Sequence, residues 1–498
     1  MTKKHAYITT AIPYVNGQPH IGHALDYLLA DVWARYQRQQ GKEVRFQAGV
    51  DEHGNKIAAK AAEQGLAPQA YVDGVHENFK QLLSGLNISA TDFIRTTNPG
   101  HKAAVQYIWQ KLVEGGYIYK NSYEGWYCQG CEAFVTDKEA TENNGVCPDH
   151  QTPYQRLSEE NYYFKTSAFS DKIRAALESG KMKIIPKSRQ KEFLELIKDG
   201  LQDVSVSRPV KSLSWGVPVP GDDTQVMYVW IDALSNYLTV LGYPGNPDWQ
   251  NYWPADVQVI GKDILRFHAG IWPAMLMALD LPLPKALLVH GFVTTNGAKM
   301  SKSLGNGVGP VDILPHYGID AFRYYFLRYI PTQEDGDFTW EKFETAYNGE
   351  LGNDLGNLVQ RVAKMVLSYQ AGVIGDAPQS EHDMGPYRTA MESLEFNRAL
   401  DEAWEVVRSL NRYIDQVEPW QVAKRRESDP EAESHLAEIL AHSAGVLLQI
   451  ADMLTPFLPQ TANYIRQLFA SGVVPSDIQP LFPKVYLHTQ DPRTTKTT

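Results

Sequence analysis

Three short stretches of this chain bring together residue types that can do chemistry. In Ala11-Ile12-Pro13-Tyr14-Val15-Asn16-Gly17-Gln18-Pro19-His20-Ile21-Gly22-His23, an apolar strand gives way to a Gly/Pro/Asn-rich loop and then to a helix beginning at the histidines. A helix N-terminus offers unpaired N–H groups and the positive end of the helix dipole, which suits an anion. His20 and His23, three apart, share one helix face, and Gly22 removes a side chain that would block close approach. The combination reads as a phosphate site built from imidazoles. Taken alone, it also fits a capped helix with two surface histidines. In the second stretch, Asn296 to Gly307, Lys299 and Lys302 sit among glycines. Phosphoryl and nucleotidyl transfer need charge placed on the phosphates more than covalent help from protein, and a loop closing over them would deliver it. By itself the pattern also fits a solvated basic turn.

The third stretch holds all three cysteines of the chain, Cys128, Cys131 and Cys147. An odd number within twenty residues argues against disulfides. With His150 they form C-x2-C-x15-C-x2-H, a four-ligand tetrahedral zinc spacing, with Gly130 and Pro148 inside the two tight turns. A closed set of four ligands leaves no open coordination position, so one structural zinc is expected.

These stretches need elements to position them. A chain of 498 residues exceeds one hydrophobic core, so two to four domains are expected. The first hundred residues alternate strand and helix: strands at Ala6–Ala11 and Val44–Val50, helices near His20–Gly41, Asn55–Gln64, Pro68–Leu86 and Gly100–Gly115. That alternation predicts a doubly wound parallel sheet. From Tyr117 to about Val219 short strands, turns and the cysteines predict an inserted domain. Strand-like Met227–Ile231, Val257–Ile260 and Ala286–Val289, with helical Leu265–Leu279, then resume the sheet. Beyond Tyr347 the apolar residues keep helical spacing, as in Leu400, Trp404, Val407, Leu410 and Ile414, which predicts a helical bundle. The domains expected are thus 1–116 and 220–295 (two halves of a Rossmann-like α/β unit), 117–219 (insertion), 296–346 (linker with the lysine stretch) and 347–498 (helical). The last dozen residues read as a frayed tail.

A net charge of −11 argues against a protein that coats nucleic acid nonspecifically, yet leaves room for docking through one basic face. The apolar runs are short and broken by charge, so no membrane span is expected. The start lacks the pattern of a signal peptide, and the expected compartment is the cytoplasm.

His20-Ile21-Gly22-His23 after a first strand and Lys299-Met300-Ser301-Lys302-Ser303 after a last one resemble the two signature motifs of class I aminoacyl-tRNA synthetases. Asp51-Glu52-His53-Gly54, Trp126-Tyr127-Cys128, Trp230-Ile231-Asp232-Ala233, Gly261-Lys262-Asp263-Ile264 and Glu418-Pro419-Trp420 resemble, in order, the methionine-specific branch of that class. The resemblance implies ATP, L-methionine and methionine tRNA as substrates, with magnesium accompanying ATP and no dedicated acidic cage for it. The products are methionyl-adenylate and then an ester on the terminal adenosine, at its 2′ hydroxyl as in class I enzymes. It implies ATP contacts from His20, Gly22, His23, Gly261, Asp263 and Lys302, with Lys299 in support. The methionine ammonium falls to Asp51 and its side chain to Ile12, Tyr14, Trp230, Tyr237 and His268. Leu234 stands where some relatives carry proline, so that wall is expected to differ in shape. Asn357, Arg361, Pro419 and Trp420 become the anticodon readers, with an exposed Trp stacking on an unstacked base.

Sister enzymes fit less well. The roughly hundred-residue insert is too short for the editing domain of the branched-chain synthetases, and no cysteine precedes Cys128, where the cysteine enzyme needs one. A small nucleotidyltransferase would lack the helical region, and a non-catalytic tRNA-binding relative would carry decayed motifs. A monomer is expected, because little chain follows the helical region.

Overall fold

The computed structural model describes residues 4–131, 133–299, 308–374 and 382–489. Its centre is a six-stranded, all-parallel sheet. β1 (His5–Thr10), β2 (Glu43–Val50) and β3 (Asp92–Arg95) form one half. Val257–Gly261 pairs with the other side of β1, followed by Ala286–His290 and, at the edge, Lys183–Ile185. The order therefore reverses beside β1, and the crevice at the carboxyl ends of strands flanking such a switch point is where open α/β sheets bind ligands. These strands are near-continuous apolar runs because helices cover both faces. One is α1 (Ile21–Gln39), whose Leu25, Leu28, Leu29, Val32 and Trp33 are all buried.

Lys183–Ile185 lies inside the 117–219 stretch expected to be insertion, yet completes the parallel sheet. Three residues are too few to show periodicity, and only the return of the chain to the sheet reveals the strand. The insertion proper is a four-stranded antiparallel sheet in which Ile118–Cys128 pairs with Gln155–Phe164 over ten positions, flanked by Ala133–Val135 and Val204–Ser205. A second correction concerns Met227–Ile231. The strand there is Asp222–Met227, and Val229 opens the helix Val229–Thr239. A short apolar run such as Met-Tyr-Val-Trp-Ile has no period that separates strand from buried helix.

Residues 296–346 contribute to a small sheet of Ala298–Lys299, Val293–Thr295 and Gly336–Phe338. Gly291 permits this sheet to dock, because a Cβ there would fall 2.4 Å from the Glu334 backbone. The helical region follows, with Asn357–Gln370, Phe396–Val417, Ala432–Leu454 and Pro459–Phe469 packed together. Ala432–Leu454 is long and apolar enough to cross a membrane by composition, but most of it is buried inside the bundle. Glu418, at φ 43°, closes Phe396–Val417, and Pro419 opens Pro419–Lys424. Trp420 thus begins a helix, where proline is favoured one residue before it.

One continuous apolar core runs from β1 and α1 into the helical bundle. The fully buried Arg323 pins that junction. Its guanidinium pairs with Asp31 of α1 at 2.7 Å and donates to the carbonyls of Leu86, Pro456 and Phe457. The tail is not wholly frayed: the backbone N–H groups of Leu487 and His488 donate to Glu344, and His488 stacks on Trp340 at 3.7 Å. The end of the expected tail lies outside the described residues.

Candidate active site

α1 begins where the loop after β1 delivers His20 to its N-cap. His20 Nδ1 accepts from the Gly22 N–H at 3.1 Å, and the His20 N–H donates to His23 Nδ1 at 3.2 Å. Both rings therefore accept through Nδ1 and carry their proton on Nε2, and they stack at 3.7 Å. A Cβ on Gly22 would lie 2.9 Å from the His20 ring, so the glycine is what lets that ring fold back over the helix start. Burial, then the neighbouring His20, pull the His23 imidazole down to about 3. The result is a neutral Nε2–H donor at the positive end of the α1 dipole, suited to a phosphate oxygen.

On the other side of the crevice, Asp51 directly follows β2, is buried, and forms a parallel bridge with Tyr14. The Asp51 N–H donates to Pro13 O at 2.9 Å and Asp51 O accepts from the Val15 N–H at 3.2 Å. Ile12 and Tyr14 are half-buried on the same loop. Glu52 is held by Arg95 and Thr97, and the Trp215 indole donates to the Glu52 carbonyl at 2.6 Å.

Gly261 ends the strand beside β1, and Asp263 follows in the single 3-10 turn Lys262–Ile264. A Cβ on Gly261 would sit 2.7 Å from the Asp263 carboxylate. His290, ending the next strand, has acceptors at both ring nitrogens: Asp26 Oδ1 at 2.6 Å and Gly291 O at 2.8 Å. Burial alone would lower its pKa, but the Asp26 carboxylate outweighs that and raises it. Asp26 lies on α1 three residues beyond His23, so the pair ties the histidine helix to the strand ends. Sequence reading missed both; a histidine at the carboxyl end of an apolar strand was the available signal.

The third wall is aromatic. Trp230 stacks flat on Phe267 at 3.7 Å and meets His268 edge-on. His268 sits in a π-helical turn, Phe267–Ile271, a distortion that re-aims side chains and recurs at functional sites. Its Nδ1 donates to Ile264 O at 3.0 Å, so Nε2 accepts from the Tyr237 hydroxyl at 2.7 Å. Burial pulls His268 down to about 4, keeping it neutral. Tyr237 is fully buried and accepts at its carbonyl from Tyr7 of β1, while Leu234 is core. Phe267 joins this wall, and Trp215 packs beside His53 on the Asp51 side, without either having been foreseen.

Cys128, Cys131, Cys147 and His150 converge, their ligand atoms lying within 4.8 Å of one another, and could hold a metal ion. The Cys131–Cys147 sulfurs are 3.5 Å apart, and His150 Nδ1 lies 3.3 and 3.6 Å from them. Tetrahedral zinc with the usual bond lengths puts ligands roughly 3.5–3.8 Å apart. Gly130 is required here, since a Cβ would strike the His150 ring at 2.3 Å.

Asn357 follows a π-helical stretch, Tyr347–Gly356, and stands one turn before Arg361. Both line an open groove of about 400 Å³ with Gln360, Lys364, Met365, Ser368 and Tyr369. Arg361 is held by Asp415 at 2.8 Å and Asn411 at 3.1 Å. Pro419 is buried, and Trp420 is half-buried against the edge of the core, not exposed as expected. Lys299 ends its strand beside the Asn296–Gly297 turn. Lys302 lies outside the described residues.

A doubly wound parallel sheet with a histidine-capped first helix at the switch point, followed by a helical bundle, defines a class I tRNA synthetase. The family model for tRNA synthetases class I (M) matches residues 6–157 and 149–363. A methionine–tRNA ligase of Streptomyces coelicolor is 44% identical over 480 residues, covering 92% of this chain and 88% of the relative. That of Bacillus subtilis is 43% identical, covering 91% and 71%. The methionyl-tRNA synthetase of Mycobacterium tuberculosis in complex with methionyl-adenylate superposes with a TM-score of 0.89 at 35% identity, covering 96% of this chain and all of that one. The chain belongs to the methionine–tRNA ligase family, and it is an aminoacyl-tRNA ligase.

Proposed function

We propose that the crevice at the β1 switch point forms methionyl-adenylate and passes methionine to tRNA, with the residue roles that follow. The observation that carries this is the convergence, on three neighbouring strand ends, of a neutral two-histidine helix cap, a buried carboxylate and an aromatic wall. The ammonium of methionine pairs with Asp51, where burial strengthens the attraction. The thioether lies among Trp230, Tyr237 and His268, where sulfur–ring contacts contribute about 0.3–1.5 kcal/mol each. Ile12 and Tyr14 close the pocket from the loop side.

His20 and His23 donate Nε2–H to phosphate oxygens at the start of α1. Gly261 allows the nucleotide to approach the backbone, and Asp263 takes a hydroxyl or amino group of it. Lys302, with Lys299, brings positive charge onto the phosphates as it develops. The methionine carboxylate attacks the α-phosphorus in line and pyrophosphate leaves. The 2′ hydroxyl of the terminal tRNA adenosine then attacks the adenylate carbonyl and AMP leaves. No protein nucleophile takes part; positioning and fixed charge lower the barrier.

Zinc at Cys128, Cys131, Cys147 and His150 would hold the two turns of the insertion together. Magnesium would neutralise the triphosphate. It would arrive with ATP. Asn357 and Arg361, in the groove on Asn357–Gln370, read the anticodon together with Pro419 and Trp420. Amino-acid-dependent ATP–pyrophosphate exchange, run against the twenty standard amino acids, tests the reading. Exchange driven by methionine is expected, and exchange driven by leucine or cysteine instead would overturn it.

A further inference from the structure

We infer that Asp232 is a positioning residue for methionine selection, acting through His53 on the Asp51 carboxylate; this rests on the assignment of Asp51 to the ammonium. Asp232 is completely buried in the helix Val229–Thr239, two residues after Trp230. Its Oδ2 accepts from His53 Nδ1 at 2.6 Å and its Oδ1 from His101 Nε2 at 2.9 Å. His101, near the start of Pro99–Glu114, reaches Thr239 Oγ1 at 2.6 Å with its other nitrogen. One carboxylate thus ties together the loop after β2, the start of one helix and both ends of another.

Burial alone would raise the Asp232 carboxyl, but His53 and His101 outweigh it and bring it to about 2, so it is ionised. A buried carboxylate with two charge-assisted hydrogen bonds is a stiff anchor, because leaving either partner unpaired carries a full desolvation cost. What it anchors is specific. The His53 N–H donates to Asp51 Oδ1 at 3.3 Å, and the His53 ring meets Trp215 edge-on at 5.4 Å. The Gly54 N–H in turn donates to Trp215 O at 3.0 Å. The ammonium-facing carboxylate and the Trp230 wall, which come from separate parts of the chain, are set against each other through the His53–Asp232 bond. The nucleotide side of the crevice is built without it.

The experiment is pyrophosphate exchange with Asp232→Asn, His53→Leu, His53→Asn and Asp51→Asn in the full chain. Asparagine can present its amide N–H near the position of a histidine Nδ1–H, so His53→Asn keeps the bond that His53→Leu removes. For Asp232→Asn and His53→Leu we expect the KM for methionine to rise about tenfold to a hundredfold, the loss of one hydrogen bond to a charged group. The KM for ATP should stay within about twofold, and His53→Asn should recover most of the loss. Parallel changes in both KM values, a lowered melting temperature with an unchanged methionine KM, or no recovery in His53→Asn would overturn the inference. If Asp232→Asn fails to fold, the His53 pair alone decides. An unchanged methionine KM in Asp51→Asn would instead overturn the ammonium assignment, a failure that His53 and Asp232 cannot imitate.

Discussion

At the scale of single residues, burial holds two histidines of the crevice, His23 and His268, neutral. His268 is the case with a measurable consequence. Its ordinary value is 6.5 and burial takes it to about 4, so between those values the unfolded chain binds a proton the native one does not. Stability from this group is therefore complete above about 6.5 and is lost as pH falls towards about 4, on the order of 3 kcal/mol in all. Denaturant titrations at intervals across that window should show a shallower slope for His268→Gln than for the parent chain. Equal slopes would mean that His268 is not buried neutral. Lys302 acts in the transition state by proposal, so Lys302→Ala should lower kcat for adenylate formation by a factor of about 100 or more with the fold intact. A raised methionine KM with unchanged kcat would contradict that role.

At the scale of elements, the cysteine turns and the bundle edge each make a separable prediction. The insertion holds its cysteines in a small apolar cluster of Cys128, Ala140, Cys147 and Tyr154, too little core to fold alone, and a metal bound there would supply the missing free energy. Metal analysis should return one zinc per chain, and Cys128→Ser should lose it and expose the Ile118–Phe164 hairpin to protease. No zinc, or two, would contradict the four-ligand reading. Trp420 opens Pro419–Lys424 at the edge of the bundle, half in the core and half out. If it stacks on an anticodon base, Trp420→Ala should cost roughly 1–3 kcal/mol of tRNA recognition while methionine activation without tRNA hardly changes. A large fall in melting temperature, with exchange and charging lost in proportion, would make Trp420 a core residue instead.

At the scale of the whole molecule, the histidine helix and the helical bundle share one core, and Arg323 joins them. Removing its guanidinium takes away one of the two arginines on buried Asp31, which keeps Arg35, and strands three buried carbonyls from two distant segments. Arg323→Leu should therefore cost about 3–5 kcal/mol of stability. Exchange and charging should fail together as the temperature rises, unlike in Trp420→Ala. Differential scanning calorimetry with both assays checks this, and a variant that keeps the parent melting temperature would show that the junction does not depend on Arg323.

What the sequence determined by itself was local or strongly spaced. The cysteine–histidine cluster, the histidine cap and the carboxylate after β2 are legible because a turn, a helix N-terminus or a strand end confines them to a few neighbouring residues. The parallel sheet and the helical bundle are legible because their apolar periods run over many residues. Only the tertiary structure decided which distant charges meet. Asp26 finds His290, Asp232 finds His53 and His101, and Arg323 finds Asp31, each across more than a hundred residues of chain. No spacing rule links such partners; they meet because packed helices bring buried charges within reach, and burial makes an unpaired charge too costly to keep. The same packing decided the short ambiguous segments. Lys183–Ile185 became a strand at the open edge of the sheet, and Val229–Ile231 became the first turn of a helix that buries Ile231, Leu234, Tyr237 and Leu238 in one core.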